Sequence, residues 1–228
     1  MLKSRPPHDG EGGGVSPATM VKNPINSRAF TLVELLVVVT ITGLLASLSM
    51  AAVKGATDKA RTTKCLSNLR QVGTAVQLYV SENQGSLPDT SHAGLELSWT
   101  NTLTPYLSTN YLSKCPCAQH AIAKVTYAWN DLLTEQVGPN KGRGFPINRL
   151  RSPSATLAIA ELPDDAVSEH FHFALERRLT PTTFRKSVEV ERHGLSANYL
   201  FTDGHAETLS WPSAQSRLTA PNSAFLQP

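Results

Sequence analysis

Ser27-Arg28-Ala29-Phe30-Thr31-Leu32-Val33-Glu34-Leu35-Leu36 is the stretch from which the rest of the chain is read. Glu34 stands at the head of an apolar run, and the 19 residues from Leu35 through Val53 hold no ionisable side chain. As a helix rising about 1.5 Å per residue they cover roughly 28 Å, close to the hydrocarbon thickness of a bilayer. A carboxylate inside such a segment costs on the order of 2.5–3.5 kcal/mol at the bilayer centre, and less near an edge. A plain anchor gains nothing from that cost, so Glu34 is expected to meet a cation. The obvious source is another subunit, which makes the chain a candidate building block of an assembly.

The same segment resembles the processing site of type IV prepilins and type II secretion pseudopilins. There a short basic leader ends at a small residue, a membrane peptidase cuts before a Phe and methylates the new amino terminus, and a Glu is the fifth mature residue. In this chain Lys22 and Arg28 are the basic residues, Ala29 the small one, Phe30 the Phe, and Glu34 is fifth from it. The family nearly always has Gly before the cut. Alanine is the nearest substitute in size, so cleavage is expected, at a lower rate. The resemblance assigns processing to Ala29, Phe30 and Glu34, and subunit assembly to Phe30 and Glu34. Two plainer readings compete. A cleaved secretory signal could use Ser49-Met50-Ala51, but its apolar core is shorter and would avoid Glu34. A simple anchor explains the length and leaves the acid unexplained. Lys54, Lys59, Arg61 and Lys64 follow the span as closely as Lys22 and Arg28 precede it, so orientation rests on the resemblance.

Met1 to Thr19 is rich in Gly and Pro without apolar periodicity and reads as disordered. Met20 opens a leader of more typical length, so the start is either a long leader or one assigned too early. The expected division is a leader over 1–29, a membrane span over 30–53, a head over 54–210 and a loose tail over 211–228. With a formal charge of +3 and a pI near 8.8, and no Lys/Arg block interleaved with aromatics, nucleic acid is not indicated.

Beyond the span the helical period continues through Leu66, Leu69, Val72, Val76 and Tyr79, with Lys64, Arg70 and Gln71 pointing elsewhere. No proline intervenes between Phe30 and Leu87, so one helix is expected from Phe30 to about Ser81, with weak points at Gly43 and Gly55. Asn83-Gln84-Gly85-Ser86-Leu87-Pro88-Asp89 ends it. Leu103 to Leu112 suggests a short helix or loop, and Gly138 to Gly142 a loop. Strands are expected over Val125–Asn130, Ala155–Ala160, Phe171–Phe173, Val188–Val190 and Ser196–Thr202. Asp203-Gly204 then turns the chain into a return strand over Ala206–Leu209. The fold class is α+β and pilin-like: a long N-terminal helix, transmembrane in its first half, packed on a small antiparallel sheet.

Three further spots extend the resemblance. Cys65-Leu66-Ser67-Asn68-Leu69-Arg70-Gln71 with Ala75 to Tyr79 is similar to the helix of planctomycete and verrucomicrobial pseudopilin-like proteins. Leu112 to Pro116 is similar to their mid-domain cysteine turn, and His193 with Asp203-Gly204 to their C-terminal His-x9-Asp-Gly signature. What that implies is a single-pass protein of the inner membrane with a periplasmic head. Its partners would be prepilin peptidase, other pseudopilin subunits, the inner-membrane secretion platform and membrane lipid.

His193, Asp203 and His205, with His170 and His172, could converge on a metal. The simpler expectation is that Asp203-Gly204 shapes a hairpin turn and His193 hydrogen-bonds that turn. No metal site and no cofactor is expected. Calcium, which major pseudopilins bind, is only weakly indicated, because no acidic cluster supplies its oxygen ligands. Ser152-Pro153-Ser154 lacks the glycines of a nucleophile elbow, Asp164-Asp165 reads as a turn, and Cys115-Pro116-Cys117 has no second pair for zinc; no enzyme is expected. In an oxidising compartment the three cysteines (Cys65, Cys115, Cys117) cannot all pair internally. Cys115 and Cys117 are too close for an easy mutual bond, so Cys65 is expected to pair with one of them. Cys115 is favoured, as it precedes the rigid Pro116 and the helix passes nearby in this fold. The alternative is three reduced thiols, with Cys65 buried as a small hydrophobe. Two functions from different classes follow: a structural pseudopilin assembling into a type II secretion or pilus-like filament, or a periplasmic binding or enzymatic domain that uses a prepilin leader for sorting.

Overall fold

The computed structural model describes residues 30–90, 98–107, 114–118, 120–122, 125–135, 142–166, 168, 170–171, 173 and 179–227. Two compact units, Met1–Leu48 and Ser49–Pro228, are distinguished and are taken separately. The leader over 1–29, residues 108–112 of the segment after Leu103, residues 138–141 of the Gly138–Gly142 loop, and His172 lie outside the described residues.

Helix α1 covers Leu32–Glu82. In the first unit its side chains, apolar apart from Glu34 and a few hydroxyls, are exposed, Leu35, Leu36, Val38, Val39, Leu44 and Leu45 among them. This stretch is long and apolar enough to cross a membrane, and none of it is buried. The hydroxyls it carries bond within the helix: Thr40 donates to the Val37 carbonyl oxygen at 2.8 Å, Thr42 to that of Val38 at 2.8 Å and Ser47 to that of Leu44 at 2.8 Å. A bilayer offers such groups no water, so satisfaction within the segment is what a span requires.

In the second unit the amphipathic half of α1 buries Cys65, Leu69, Val72, Ala75, Val76 and Val80. The expected breakers end it. Gln84 at φ 55° and Gly85 at φ 80° turn the chain out of the helix, and the Gly85 amide donates to the Val80 carbonyl oxygen at 2.9 Å.

The described strands β1 (Tyr127–Trp129), β2 (Leu157–Glu161), β3 (Ser196–Phe201) and β4 (Ala206–Ser210) form one antiparallel sheet in sequence order. Alternation along β3 sends Leu200 into the core that holds the α1 side chains, with Ile159, Tyr127 and Trp129. Ala197, Tyr199 and Phe201 enter a second core on the opposite face. The molecule is α+β and pilin-like, as the sequence indicates.

That second core overturns several expectations. The segment after residue 210 is not a loose tail: Trp211–Thr219 is a helix, and Ala214, Phe225 and Leu226 are buried. Pro181–Ser187 is a further helix, burying Phe184 beside them. Val188–Val190 is no strand. The Val188 amide closes the helix onto the Phe184 carbonyl oxygen, and both valines are buried from a turn. The Phe171 amide donates to the Trp129 carbonyl oxygen at 2.9 Å, but neither Phe171 nor Phe173 lies in a strand. In chain order the α-helices among the described residues are α1, α2 (Trp99–Leu103), α3 (Pro181–Ser187) and α4 (Trp211–Thr219).

Candidate functional site

At the N-terminal end the carboxylate of Glu34 closes a reciprocal cap. The Thr31 amide and hydroxyl both donate to its Oε2, at 2.9 and 2.8 Å, and the Glu34 amide donates to Thr31 Oγ1 at 3.2 Å. Thr-x-x-Glu ahead of an apolar run is a capping box, a signal present in the sequence that the reading of Glu34 as an unpartnered acid passed over. Phe30, two residues before α1, is exposed. Ala29 lies outside the described residues.

In the head, the signature residues separate. Asp203 and Gly204 make the β3–β4 turn as expected. Asp203 Oδ1 accepts from the His205 amide at 3.1 Å and lies 2.6 Å from His205 Nδ1, while Gly204 sits at φ 89°. The turn is seated on α1. A Cβ on Gly73 would lie 2.2 Å from the Gly204 carbonyl oxygen, and Gln77 Nε2 donates to the Thr202 carbonyl oxygen at 2.8 Å. His193 does not reach this turn. It precedes β3 and so lies at the end of that strand away from Asp203, a strand of six residues or about 20 Å. There its Nε2 lies 3.1 Å from Glu161 Oε1 and 2.9 Å from Asn198 Nδ2. The His193 and Glu161 side chains are fully buried. Among the described residues the convergence of histidines does not form: His205 is with Asp203, His193 with Glu161, and the His170 backbone pairs with Trp129 in an isolated bridge.

What His193 does approach is the cysteines. Cys65 on α1 is bonded to Cys115, with Cα atoms 5.3 Å apart, and Cys117 is free and half-buried. Burial first, then the Glu161 carboxylate, push the Cys117 thiol above its ordinary range, so at neutral pH it is a thiol and not a reactive thiolate. An open cleft of about 700 Å³ lies here, lined by Lys59, Arg61, Cys117, His120, Arg192 and His193 among others. Neither His205 nor His170 lines it.

A family model described as the prokaryotic N-terminal methylation motif matches residues 25–50. No curated protein and no solved structure matches the chain. The matched motif supports a type IV pilin- or pseudopilin-like protein and implies processing by prepilin peptidase and pilin-like assembly. Together with the exposed apolar helix it fits a single-pass membrane anchor. The match ends at residue 50 and leaves the head, with its His193 and Asp203-Gly204, unassigned.

Proposed function

We propose that this chain is a structural, non-enzymatic pseudopilin. In this reading it is held in the inner membrane with its head in the periplasm, cut between Ala29 and Phe30, and assembled into a filament of the type II secretion or type IV pilus kind. The observation that carries the reading is the methylation motif over residues 25–50 running into an apolar helix whose described side chains are exposed as far as Val53. Such a surface needs lipid or neighbouring copies of the same helix to cover it. After the cut, the amino group of Phe30 is a cation four residues before Glu34, and pairing between subunits would offset the burial of both charges. The separation of the histidines weighs against a binding or catalytic head.

The mass of the mature terminus tests the reading. Protein extracted from membranes should begin at a methylated Phe30, Ala29→Gly should be cut faster, and Ala29→Trp should accumulate uncut. A mature terminus near Ala52 would mean an ordinary secretory signal and would sink the proposal.

A further inference from the structure

We propose that Cys65, Cys115, Cys117 and His193 form a zinc site in the reduced chain. The three sulfurs and one ring nitrogen of His193 lie within 4.8 Å of one another. Tetrahedral zinc with bonds of about 2.3 Å to sulfur and 2.0–2.1 Å to nitrogen sets its donors roughly 3.5–3.8 Å apart, so the four need only small adjustments once the Cys65–Cys115 bond opens. Three cysteines and one histidine are a common closed structural zinc set.

The histidine supplies an independent observation. Its Nε2 faces both oxygens of Glu161, at 3.1 and 3.0 Å, and the side-chain amide of Asn198 at 2.9 Å; with that amide turned so that its oxygen meets the ring and its nitrogen meets Thr208, all the partners of Nε2 are acceptors and Nε2 carries a proton. In the neutral ring the lone pair is then on Nδ1. That atom is buried and has no hydrogen-bond partner among the described residues. A histidine whose one ring N–H is held by a carboxylate, with the other nitrogen free, has the tautomer and the outer support of a metal ligand. Asn198 steadies the same carboxylate, its amide donating to Glu161 Oε2 at 3.3 Å. Cys117 opens on the cleft, which gives the ion a way in, and Arg61 and Arg192 line that cleft. Arg61 is paired there with Asp58, which lines the same cleft, and Arg192 with Asp164, so the cleft carries both signs of charge.

The disulfide is the oxidised form of two of these ligands. A phosphine reductant opens it: one water is consumed, the phosphine leaves as its oxide, and Cys65 and Cys115 become thiols. Zinc then displaces one proton from each of the three thiols and binds Nδ1 of the neutral imidazole. The ligands come from α1, the Cys-Pro-Cys turn and the segment before β3. In sequence, Cys115 and Cys117 have no second metal-binding pair nearby, and the fold provides the missing half.

The test uses the full chain in detergent, reduced with a phosphine, incubated with zinc chloride and desalted, with metal measured by mass spectrometry. One zinc per reduced chain is expected, and about a tenth of that or less in the oxidised chain. Cobalt in place of zinc should give the intense visible bands of a tetrahedral site and a thiolate charge-transfer band. Cys117→Ser, which leaves the disulfide and the buried core intact, should weaken binding by about a hundredfold or more. Glu161→Gln should weaken it roughly tenfold to a hundredfold by loosening His193. Reduced wild-type chain without zinc, or Cys117→Ser binding as tightly as wild type, would overturn the proposal. Metal content is read on unassembled chain, so either result is independent of whether the protein forms filaments.

Discussion

Glu34 receives two hydrogen bonds from Thr31 on one carboxylate oxygen, which gives it a local role beside the intersubunit one. One substitution tells these apart. Glutamine serves at the third position of a capping box almost as well as glutamate, so Glu34→Gln keeps the helix start while removing the charge. If pairing with a neighbour's amino terminus is what the acid is for, this variant should be inserted and cut normally yet recovered from sheared filaments at a small fraction of the wild-type amount. Thr31→Ala should do the reverse, costing the helix start about 0.5–2 kcal/mol while retaining the charge. Equal recovery of Glu34→Gln and wild type would leave capping as the whole of its function. Gly73 makes a comparable point in the head. The sequence shows a glycine on the buried face of a helix, which reads as a weakness. In the structure its missing Cβ is what admits the Gly204 carbonyl oxygen. Gly73→Ala should therefore lower stability to urea by about 1–3 kcal/mol, as overpacking does. Gly55→Ala, where nothing lies within 4 Å of the added carbon, should raise it by up to about 1 kcal/mol through helix propensity.

The element that ties the head together covalently is the Cys65–Cys115 bond, which joins α1 to the Cys-Pro-Cys turn across a sequence separation of 50. Closing a loop of that size stabilises by about 2–4 kcal/mol, so Cys65→Ala with Cys115→Ala should unfold at correspondingly lower denaturant than oxidised wild type. Reduced wild type held free of metal by a chelator should match the double variant. A smaller loss in both would mean that the core alone fixes the turn against α1. The elements differ in how plainly the sequence announces them. The spine helix is legible because its apolar run is long and unbroken, and the β3–β4 hairpin because Asp203-Gly204 supplies a turn between two short apolar strands. The second layer is harder to see. Thr180-Pro181 and Ser210-Trp211-Pro212 place a small hydroxyl residue ahead of a helix carrying Pro at its first positions, and Thr183 completes a capping box with Thr180. Trp211, Ala214 and Leu218 have helical spacing, but the intervening Ser, Gln, Pro and Arg residues hide it in composition. Val188-Glu189-Val190 has strand-like alternation because both valines are buried, and burial alone does not distinguish a strand from a turn packed against one. The cysteine and histidine cluster was illegible for a different reason: its members are close only after α1, the turn and β3 have packed.

At the scale of the whole head, covering both faces of the sheet has a consequence for alkaline stability. Tyr127 on β1 and Tyr199 on β3 are fully buried, on opposite faces. Burial above all, and then the Glu161 carboxylate, hold both hydroxyls protonated well beyond the usual tyrosine range. In the unfolded chain the same groups ionise near pH 10. Above that pH the folded state retains more protons than the unfolded one, so stability falls as pH rises; below it the contribution is complete and flat. Each tyrosine adds a slope of up to about 1.4 kcal/mol per pH unit between its unfolded and folded values. Both Oη atoms are buried without a hydrogen-bond partner among the described residues, and Tyr199 is the cleaner probe because the Asn68 side chain acts on Tyr127. Removing an unpaired buried hydroxyl while keeping the ring is neutral to stabilising, so Tyr199→Phe should match or exceed wild type by up to about 1 kcal/mol at pH 7. Urea unfolding followed from about pH 8 to pH 11, in a Cys117→Ser background that suppresses thiol exchange, should show the variant losing stability less steeply than its parent, by up to about 1.4 kcal/mol per pH unit above pH 10. An unchanged slope would show that Tyr199 ionises without unfolding, and hence that water reaches this face of the sheet in the native head.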